Sequence, residues 1–260
     1  MSFQKISRLA RSLGTIALNA ARLFYAPAKA REFFAYVYLY SPVPYTAKIR
    51  EVTWKELFAD PFGRPVSLKR CVLDYGNLSY TEVMTICLLI QELKPKTVFE
   101  FGTFNGVTTL QMALNSVEKC KIYTLNLSAS GVDTAMALGD YSRDKLLHPA
   151  LAGTATVFER EVEATKIEQL WGDSATFDFT RFIERVDMVF IDACHEYEYV
   201  KCDTENALKL IADTGGVILW HDFPNAPGVN RYLEEISARF EIQHVKDTRL
   251  ALARIPRRVA

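Results

Sequence analysis

The sequence has 260 residues, of which 49% are hydrophobic and 24% charged, and its formal net charge is zero. This length and composition suit one α/β domain with an extension, large enough to bury a substantial core. The balanced charge argues against a nucleic-acid partner, which would show as an excess of basic residues.

Cysteine usage indicates the redox environment. The five cysteines are odd in number and none is arranged as C-x-x-C (Cys71, Cys87, Cys120, Cys194 and Cys202). This pattern predicts reduced, mostly buried thiols of a cytoplasmic protein, and neither a disulfide framework nor a zinc site.

The N-terminal segment is basic and has helical periodicity. Residues 1–31 contain six basic residues and no acidic one, so the rest of this neutral chain has six more acids than bases. A basic amphipathic helix can bind an anionic membrane surface, or it can pack its apolar face on the domain or on a second copy of the chain. Asn19 and Arg22 interrupt the apolar run, which argues against a signal peptide and excludes a membrane-spanning helix.

Residues 31–50 are rich in aromatic residues and proline, which predicts a linker or a lid. We therefore assign residues 1–50 to an N-terminal extension and residues 51–260 to the main domain. A helix is predicted from Ser79 to Leu93, and Pro95 marks the break that follows it.

A buried strand over Val98–Phe101 contains Glu100 and is followed by Gly102 and Gly106, which open a helix. Three residues separate the two glycines (Thr103, Phe104 and Asn105), so the spacing differs from the G-x-G-x-x-G fingerprint of dinucleotide sites. Because the tight pyrophosphate turn is missing, the pattern favours a nucleoside ligand over a dinucleotide. The alternative is an ordinary strand-to-helix turn.

Strands and helices alternate along the remaining chain. Strands are predicted at Lys121–Leu127, Lys166–Trp171, Met188–Asp192 and Gly216–Trp220, and helices near Gly106–Val117, Tyr199–Ile211 and Val229–Phe240. Two short strands, Glu241–Val245 and Arg249–Ile255, predict a terminal antiparallel hairpin. The expected fold is a doubly wound, Rossmann-like α/β sheet of seven strands, mostly parallel, with helices on both faces. Residues 128–165 form an insert expected on the substrate side.

Polar residues follow two neighbouring strands near the end of the domain. One apolar strand delivers Asp192, with His195 and Tyr197 on the loop behind it, and the next strand delivers His221 and Asp222. Parallel neighbouring strands bring their carboxyl ends together, so these aspartates and histidines should converge. Two histidines beside two aspartates at one sheet edge indicate a functional site.

Two stretches resemble a known family. The Glu100–Gly106 segment resembles motif I of the class I S-adenosylmethionine-dependent methyltransferases. The stretch from Phe190 to Phe223 resembles the Methyltransferase-24 branch, related to macrocin O-methyltransferases and cephalosporin hydroxylase-like proteins. It contains F-I-D, H-x-Y-E, a mid-helix acid at Asp203, G-G-V-I and H-D. The resemblance covers about residues 79–255.

The resemblance implies a cofactor site on named residues. Glu100, Gly102 and Gly106, with the intervening Thr103, Phe104 and Asn105, would hold the methionine part of S-adenosylmethionine, and Asp192 would lie beside it. Asn126 would contact the ribose, where the family usually has a carboxylate. The turn Gly172-Asp173-Ser174 would contact the adenine through Asp173, although the same three residues also suit a plain turn with a helix cap.

The implied reaction is methyl transfer to a hydroxyl group of a sugar or small natural product. Either His221 or His195 acts as general base, or Asp192, Asp222 and His221 hold Mg²⁺ or another divalent ion that acidifies the hydroxyl. Two other classes stay open: a metal-dependent hydroxylase or hydrolase on the same fold, and a non-catalytic, membrane-associated scaffold. The expected partner is a small-molecule acceptor, with peripheral membrane contact through residues 1–31 and homo-oligomerisation as further expectations.

Overall fold

The computed structural model describes residues 49–71, 76–127 and 156–257. The predicted N-terminal helix, the aromatic linker up to residue 48, and residues 128–155 of the predicted insert lie outside the described residues.

Eight strands and five α-helices follow one another in the described residues. The strands are β1 (Arg50–Val52), β2 (Thr97–Phe101), β3 (Lys121–Asn126), β4 (Ile167–Trp171), β5 (Met188–Ile191), β6 (Gly216–Trp220), β7 (Ile242–Val245) and β8 (Ala251–Ile255). The helices are α1 (Trp54–Leu57), α2 (Tyr80–Leu93), α3 (Val107–Asn115), α4 (Tyr197–Leu210) and α5 (Pro227–Ile236). Short 3₁₀ helices cover Val162–Lys166 and Thr180–Phe182.

The strands form one sheet in the order β1-β7-β8-β6-β5-β2-β3-β4. All neighbours are parallel except β8, which lies antiparallel between β6 and β7. The strand order reverses between β2 and β5, because the chain runs outward from β2 to β4 and then returns to β5. In sheets of this kind, ligands bind at the carboxyl ends of the strands beside such a reversal.

The sheet is covered on both faces. Residues alternate in direction along each strand, so Val98 and Phe99 belong to separate apolar cores. One core packs the sheet against α4 and α5, and the other packs it against α2 and α3. The near-continuous apolar runs in the sequence follow from burial on both faces.

The predicted fold is confirmed, with one added strand. The predicted strands agree with the observed bounds to within two residues, and the terminal hairpin is antiparallel as expected. The eighth strand, β1, pairs in parallel with β7 at the sheet edge. All five cysteines carry free thiols. No described helix combines the length and apolar character needed to cross a bilayer.

Candidate functional site

Five adjacent strands, all parallel, end at the same edge of the sheet. Phe101 pairs with Ile191 and Ile191 with Trp220, while Asn126 pairs with Trp171 one residue further along on the other side. We call this edge the carboxyl rim: the residues that directly follow β4, β3, β2, β5 and β6. At about 4.8 Å per strand it spans roughly 19 Å. The rim therefore brings together all three predicted ligand-binding turns and the predicted Asp/His cluster.

Gly102 is held at the centre of the rim. Its φ is +90°, and a Cβ atom there would lie 2.1 Å from the backbone oxygen of Asp192. Its N–H donates to the carbonyl of Leu125 at 2.9 Å. Only glycine allows this approach between the end of β2 and the end of β5.

The rest of the glycine loop contacts the C-terminal part of the predicted insert. Gly106, the N-terminal cap of α3, has φ +78°, and a Cβ atom there would lie 2.6 Å from the ring of Phe158. The carbonyl of Asn105 accepts the N–H of Val157 at 3.0 Å. Phe104 has φ +51°, and its ring occupies the space beside Gly76. The second glycine is thus required by packing within the protein.

Glu100 was expected to hold the methionine part of the cofactor, but its side chain does not face the rim. It is buried on the α3 side of the sheet, where its Oε2 accepts the hydroxyls of Thr109 at 2.5 Å and Thr124 at 2.6 Å. The hydroxyl of Thr103 continues this network, 2.7 Å from Thr124 and 3.0 Å from the amide nitrogen of Gln169. Burial raises the pKa of Glu100 to about 8, against the effect of the threonine hydroxyls. Glu100 and Thr103 therefore support the loop from beneath.

Asp173 lies at the rim after β4, but it makes a turn there. Its Oδ1 accepts the N–H of Ala175 at 2.9 Å, and the hydroxyl of Tyr199 donates to its carboxylate at 2.8 Å. The backbone oxygen of Ser174 accepts Asn206 at 3.4 Å. These contacts match the turn interpretation of Gly172-Asp173-Ser174. Asn126 is half-buried, and its carbonyl accepts the N–H of Gly172 at 3.0 Å.

The predicted Asp/His residues do converge. Nδ1 of His221 lies 2.9 Å from Oδ1 of Asp192 and 3.2 Å from Oδ2 of Asp222. Nε2 of His195 lies 2.7 Å from Oδ2 of Asp222. We call these four residues the rim cluster. Asp222 has φ +60°, a strained conformation that aspartate tolerates better than most residues.

The two histidines of the rim cluster differ in access and charge. The His221 side chain is 5% exposed and that of His195 is 26% exposed. Burial alone would lower the pKa of His221, but Asp192 and Asp222 outweigh it and raise this pKa well above the ordinary value. Burial alone would raise the pKa of Asp222, but His221 and His195 outweigh it and hold this pKa well below its usual range.

Two residues missed by sequence reasoning complete the surroundings. Nη1 of Arg249 donates to Oδ1 of Asp222 at 2.9 Å, and its Nε donates to Oε1 of Glu82 at 3.1 Å. Glu82 Oε1 lies 3.6 Å from Nε2 of His221. In the sequence, Glu82 is the last residue of a Ser79-x-x-Glu82 capping box, which the structure also contains, so its second role carries no sequence signal.

The rim cluster suits a divalent cation. Ligand atoms of Asp192, His221 and Asp222 lie within 4.8 Å of one another. Carboxylates suit Mg²⁺ and Mn²⁺, and imidazole adds affinity for Mn²⁺, Fe²⁺ or Zn²⁺. Nε2 of His221 is buried and makes no hydrogen bond within the described residues, although it faces Glu82. An outer carboxylate behind the second ring nitrogen is typical of metal-bound histidine.

The strand order with its antiparallel β8, the glycine loop after β2 and the acidic rim define a class I methyltransferase fold. Residues 99–223 match the family model described as a methyltransferase domain (Methyltransf_24). Residues 99–223 therefore form a methyltransferase domain, and this protein is an S-adenosylmethionine-dependent methyltransferase.

The solved structures with a similar fold have low sequence identity to this chain. The O-methyltransferase TomG from Streptomyces achromogenes, in complex with SAM, is 19% identical, with 69% of this chain and 82% of that chain covered and a TM-score of 0.46. An O-methyltransferase from Bacillus cereus in complex with SAH is 21% identical, with coverages of 70% and 84% and a TM-score of 0.47. The SAH-bound Podospora anserina methyltransferase PaMTH1 is 16% identical, with coverages of 71% and 81% and a TM-score of 0.45.

Comparison with curated protein sequences gives no significant match. None of the comparisons supports the hydroxylase or hydrolase alternative or the non-catalytic scaffold.

Proposed function

We propose that this enzyme transfers the methyl group of S-adenosylmethionine to a hydroxyl group of a small molecule such as a sugar or another natural product. The observation that carries the proposal is the position of the rim cluster. It lies directly beside Gly102, whose missing side chain leaves its Cα against the backbone of Asp192. An acceptor hydroxyl held at the rim cluster would thus lie next to a cofactor held at the glycine loop. Methyl transfer depends mainly on such alignment.

The cofactor would lie along the carboxyl rim from β4 to β5. The loop from Gly102 to Gly106 would contact its methionine part through backbone groups. Asn126 would contact the ribose through its amide, and the Gly172-Asp173-Ser174 turn would border the adenine. Asp192 would border the sulfonium from the β5 side. Glu100 and Thr103 enter this proposal as supports of the loop.

The acceptor hydroxyl has to lose its proton at the rim cluster. A divalent cation held by Asp192, His221 and Asp222 would supply Lewis acidity there and lower the pKa of a bound hydroxyl. Around it, Asp222 would keep His195 in place, and the apolar core beneath β5 and β6 would exclude water from one side.

A general base without metal is the second candidate, and the observed exposure favours His195 for it. Its side chain is 26% exposed, so an acceptor could reach it, and Asp222 orients its ring. His221 is enclosed between two carboxylates and is 5% exposed, which disfavours it as the group that meets the acceptor.

Calorimetric titration with S-adenosylhomocysteine tests the cofactor assignment, with NAD⁺ as the matched control that shares the adenosine. We expect saturable binding of S-adenosylhomocysteine and none of NAD⁺. If millimolar S-adenosylhomocysteine produces neither heat nor a thermal shift, the proposed function is wrong.

Formation of S-adenosylhomocysteine from S-adenosylmethionine, measured with a panel of hydroxylated small molecules, separates the two mechanisms. With a cation mechanism, EDTA abolishes turnover, Mn²⁺ or Mg²⁺ restores it, and Asp192→Asn loses it. If EDTA has no effect and His195→Gln abolishes turnover while cofactor binding persists, the general base is correct.

A further inference from the structure

The rim cluster is held from behind by two residues that come from distant parts of the chain. Glu82 lies in the first turn of α2, and Arg249 lies in the turn between β7 and β8. Both lie outside residues 99–223, the segment that matches the methyltransferase domain. Neither residue directly follows a strand of the carboxyl rim. The rim cluster therefore depends on α2 and on the β7–β8 turn, which have no role in the proposed reaction as described above.

Glu82 and Arg249 are joined by three hydrogen bonds. Oε1 of Glu82 accepts hydrogen bonds from the backbone N–H of Arg249 at 2.7 Å and from its Nε at 3.1 Å, and Oε2 accepts one from its Nη2 at 3.3 Å. The Glu82 and Arg249 side chains are 2% and 14% exposed. Two parallel bonds to a carboxylate fix a guanidinium in one orientation.

The far end of this guanidinium reaches the rim. Its Nη1 donates to Oδ1 of Asp222 at 2.9 Å, and the backbone oxygen of Arg249 accepts the N–H of Phe223 at 3.2 Å. Arg249 therefore holds both the side chain and the backbone of the strained turn that begins at Asp222. With Oδ1 engaged by Arg249, Oδ2 is the oxygen directed to His195 and His221.

Glu82 also faces His221 directly. Its Oε1 lies 3.6 Å from Nε2, while Nδ1 on the other side of the ring faces Asp192 and Asp222. The ion pair with Arg249 makes Glu82 a carboxylate partner for this ring. A carboxylate behind Nε2 favours a proton on that nitrogen and leaves Nδ1 as the atom that can serve the rim.

We propose that Glu82 and Arg249 are positioning residues for the rim cluster: they orient Nδ1 of His221 and Oδ2 of Asp222 toward the bound acceptor or cation. This inference rests on the proposed function of the rim cluster. It adds that the reaction geometry is set by α2 and by the terminal hairpin, in addition to the strand ends.

The test uses the full chain with Glu82→Gln and Arg249→Lys. Glutamine keeps the size and the capping acceptor of Glu82 but loses its charge, and lysine keeps the charge of Arg249 but loses the forked geometry. Glu92→Gln and Arg64→Lys are the matched controls, because Glu92 lies on the same helix and forms an ion pair with Arg64 at the protein surface.

Three quantities are measured: Mn²⁺ affinity, S-adenosylhomocysteine affinity, and the ¹⁵N spectrum of the histidine side chains. We expect Glu82→Gln and Arg249→Lys to weaken Mn²⁺ binding about tenfold or more. We also expect Glu82→Gln to move the His221 nitrogen resonances, while both variants leave S-adenosylhomocysteine affinity within about twofold. The controls should change none of these.

The outcomes separate this inference from the proposed function. If the wild-type protein does not bind S-adenosylhomocysteine, the proposed function fails whatever the variants do. If it binds, but Glu82→Gln leaves both the His221 resonances and Mn²⁺ affinity as in the wild type, the inference is overturned. If Glu82→Gln and Arg249→Lys lower both cofactor affinity and thermal stability, the two residues have a structural role, and the inference is likewise overturned. Should the wild type bind no Mn²⁺, the His221 resonances alone decide.

Discussion

The buried carboxyl group of Glu100 should make the stability of the protein depend on pH. Its pKa is raised to about 8 in the folded state, above the ordinary value of 4.5. Between these values the folded protein keeps a proton that the unfolded chain has released. The free energy of unfolding should therefore fall as pH rises through this window, by up to about 1.4 kcal/mol per pH unit from this group.

Glu100→Gln should remove this contribution, since glutamine does not titrate. Urea unfolding at pH 5 and pH 8 measures it: the drop between the two pH values should be smaller in the variant than in the wild type. The exposed Glu56→Gln serves as control and should leave the drop nearly unchanged. An identical drop in wild type and Glu100→Gln would show that Glu100 does not titrate in this range.

Gly102→Ala should be costly for two reasons. The residue has φ +90°, and the new methyl group would lie 2.1 Å from the backbone oxygen of Asp192. We expect a loss of about 2–5 kcal/mol in the free energy of unfolding and weaker S-adenosylhomocysteine binding. Gly63→Ala is the control, since there the new methyl group meets only the end of the Asp60 side chain. Equal effects at both positions would contradict the explanation.

Helix α3 holds a segment of the chain, residues 65–70, by means of two amide side chains. Gln111 accepts the N–H of Lys69 at 3.0 Å and donates to its carbonyl at 2.8 Å. Asn115, one helical turn further on, makes the same pair of bonds with Ser67, at 3.0 and 2.8 Å. Because the two amides are four residues apart, they lie on one face of the helix and serve alternate residues of the segment.

The double variant Gln111→Ala/Asn115→Ala should release this segment. Each substitution removes two hydrogen bonds to the backbone of this segment, so we expect a combined loss of about 2–4 kcal/mol and faster trypsin cleavage after Lys69 or Arg70. Gln243→Ala, which removes an amide bonded to the exposed Glu241, should leave the cleavage rate unchanged. Cleavage at the wild-type rate in the double variant would show that other contacts hold the segment.

The sheet was predictable because its central strands are buried on both faces and appear as apolar runs bounded by glycine, proline or polar residues. The edge strand β1 was not, since it has three residues and two of them are charged and exposed. The rim cluster was predictable from Asp192 and His221 because strand ends align in a parallel sheet. Glu82 and Arg249 are 167 residues apart, and only the completed fold brings them together. The sequence Gly172-Asp173-Ser174 suits both a ligand contact and a plain turn, so the sequence alone could not decide between these two roles.

For the molecule as a whole, charge is divided between the first 31 residues and the rest. Residues 1–31 carry six basic groups and no acid, and the remainder has six more acids than bases. If the N-terminal segment binds membranes, the full chain should co-sediment with vesicles containing phosphatidylserine at low salt and dissociate at high salt.

A variant lacking residues 1–31 should lose this co-sedimentation while keeping its affinity for S-adenosylhomocysteine. Vesicles of phosphatidylcholine alone provide the uncharged control. If the truncated protein co-sediments as the full chain does, the segment serves another purpose, and a change in oligomeric state on truncation would indicate packing between copies.

The antiparallel hairpin has a consequence for biosynthesis. β8 lies between β6 and β7, so these two strands become linked within the sheet only after the residues beyond Leu250 have left the ribosome. Arg249, which donates to Asp222, lies just before these residues in the chain. During translation, a nascent chain can therefore assemble the glycine loop and its neighbouring strands before the rim cluster acquires its final geometry. The rim cluster should therefore reach its final geometry only after the turn between β7 and β8 has been synthesised.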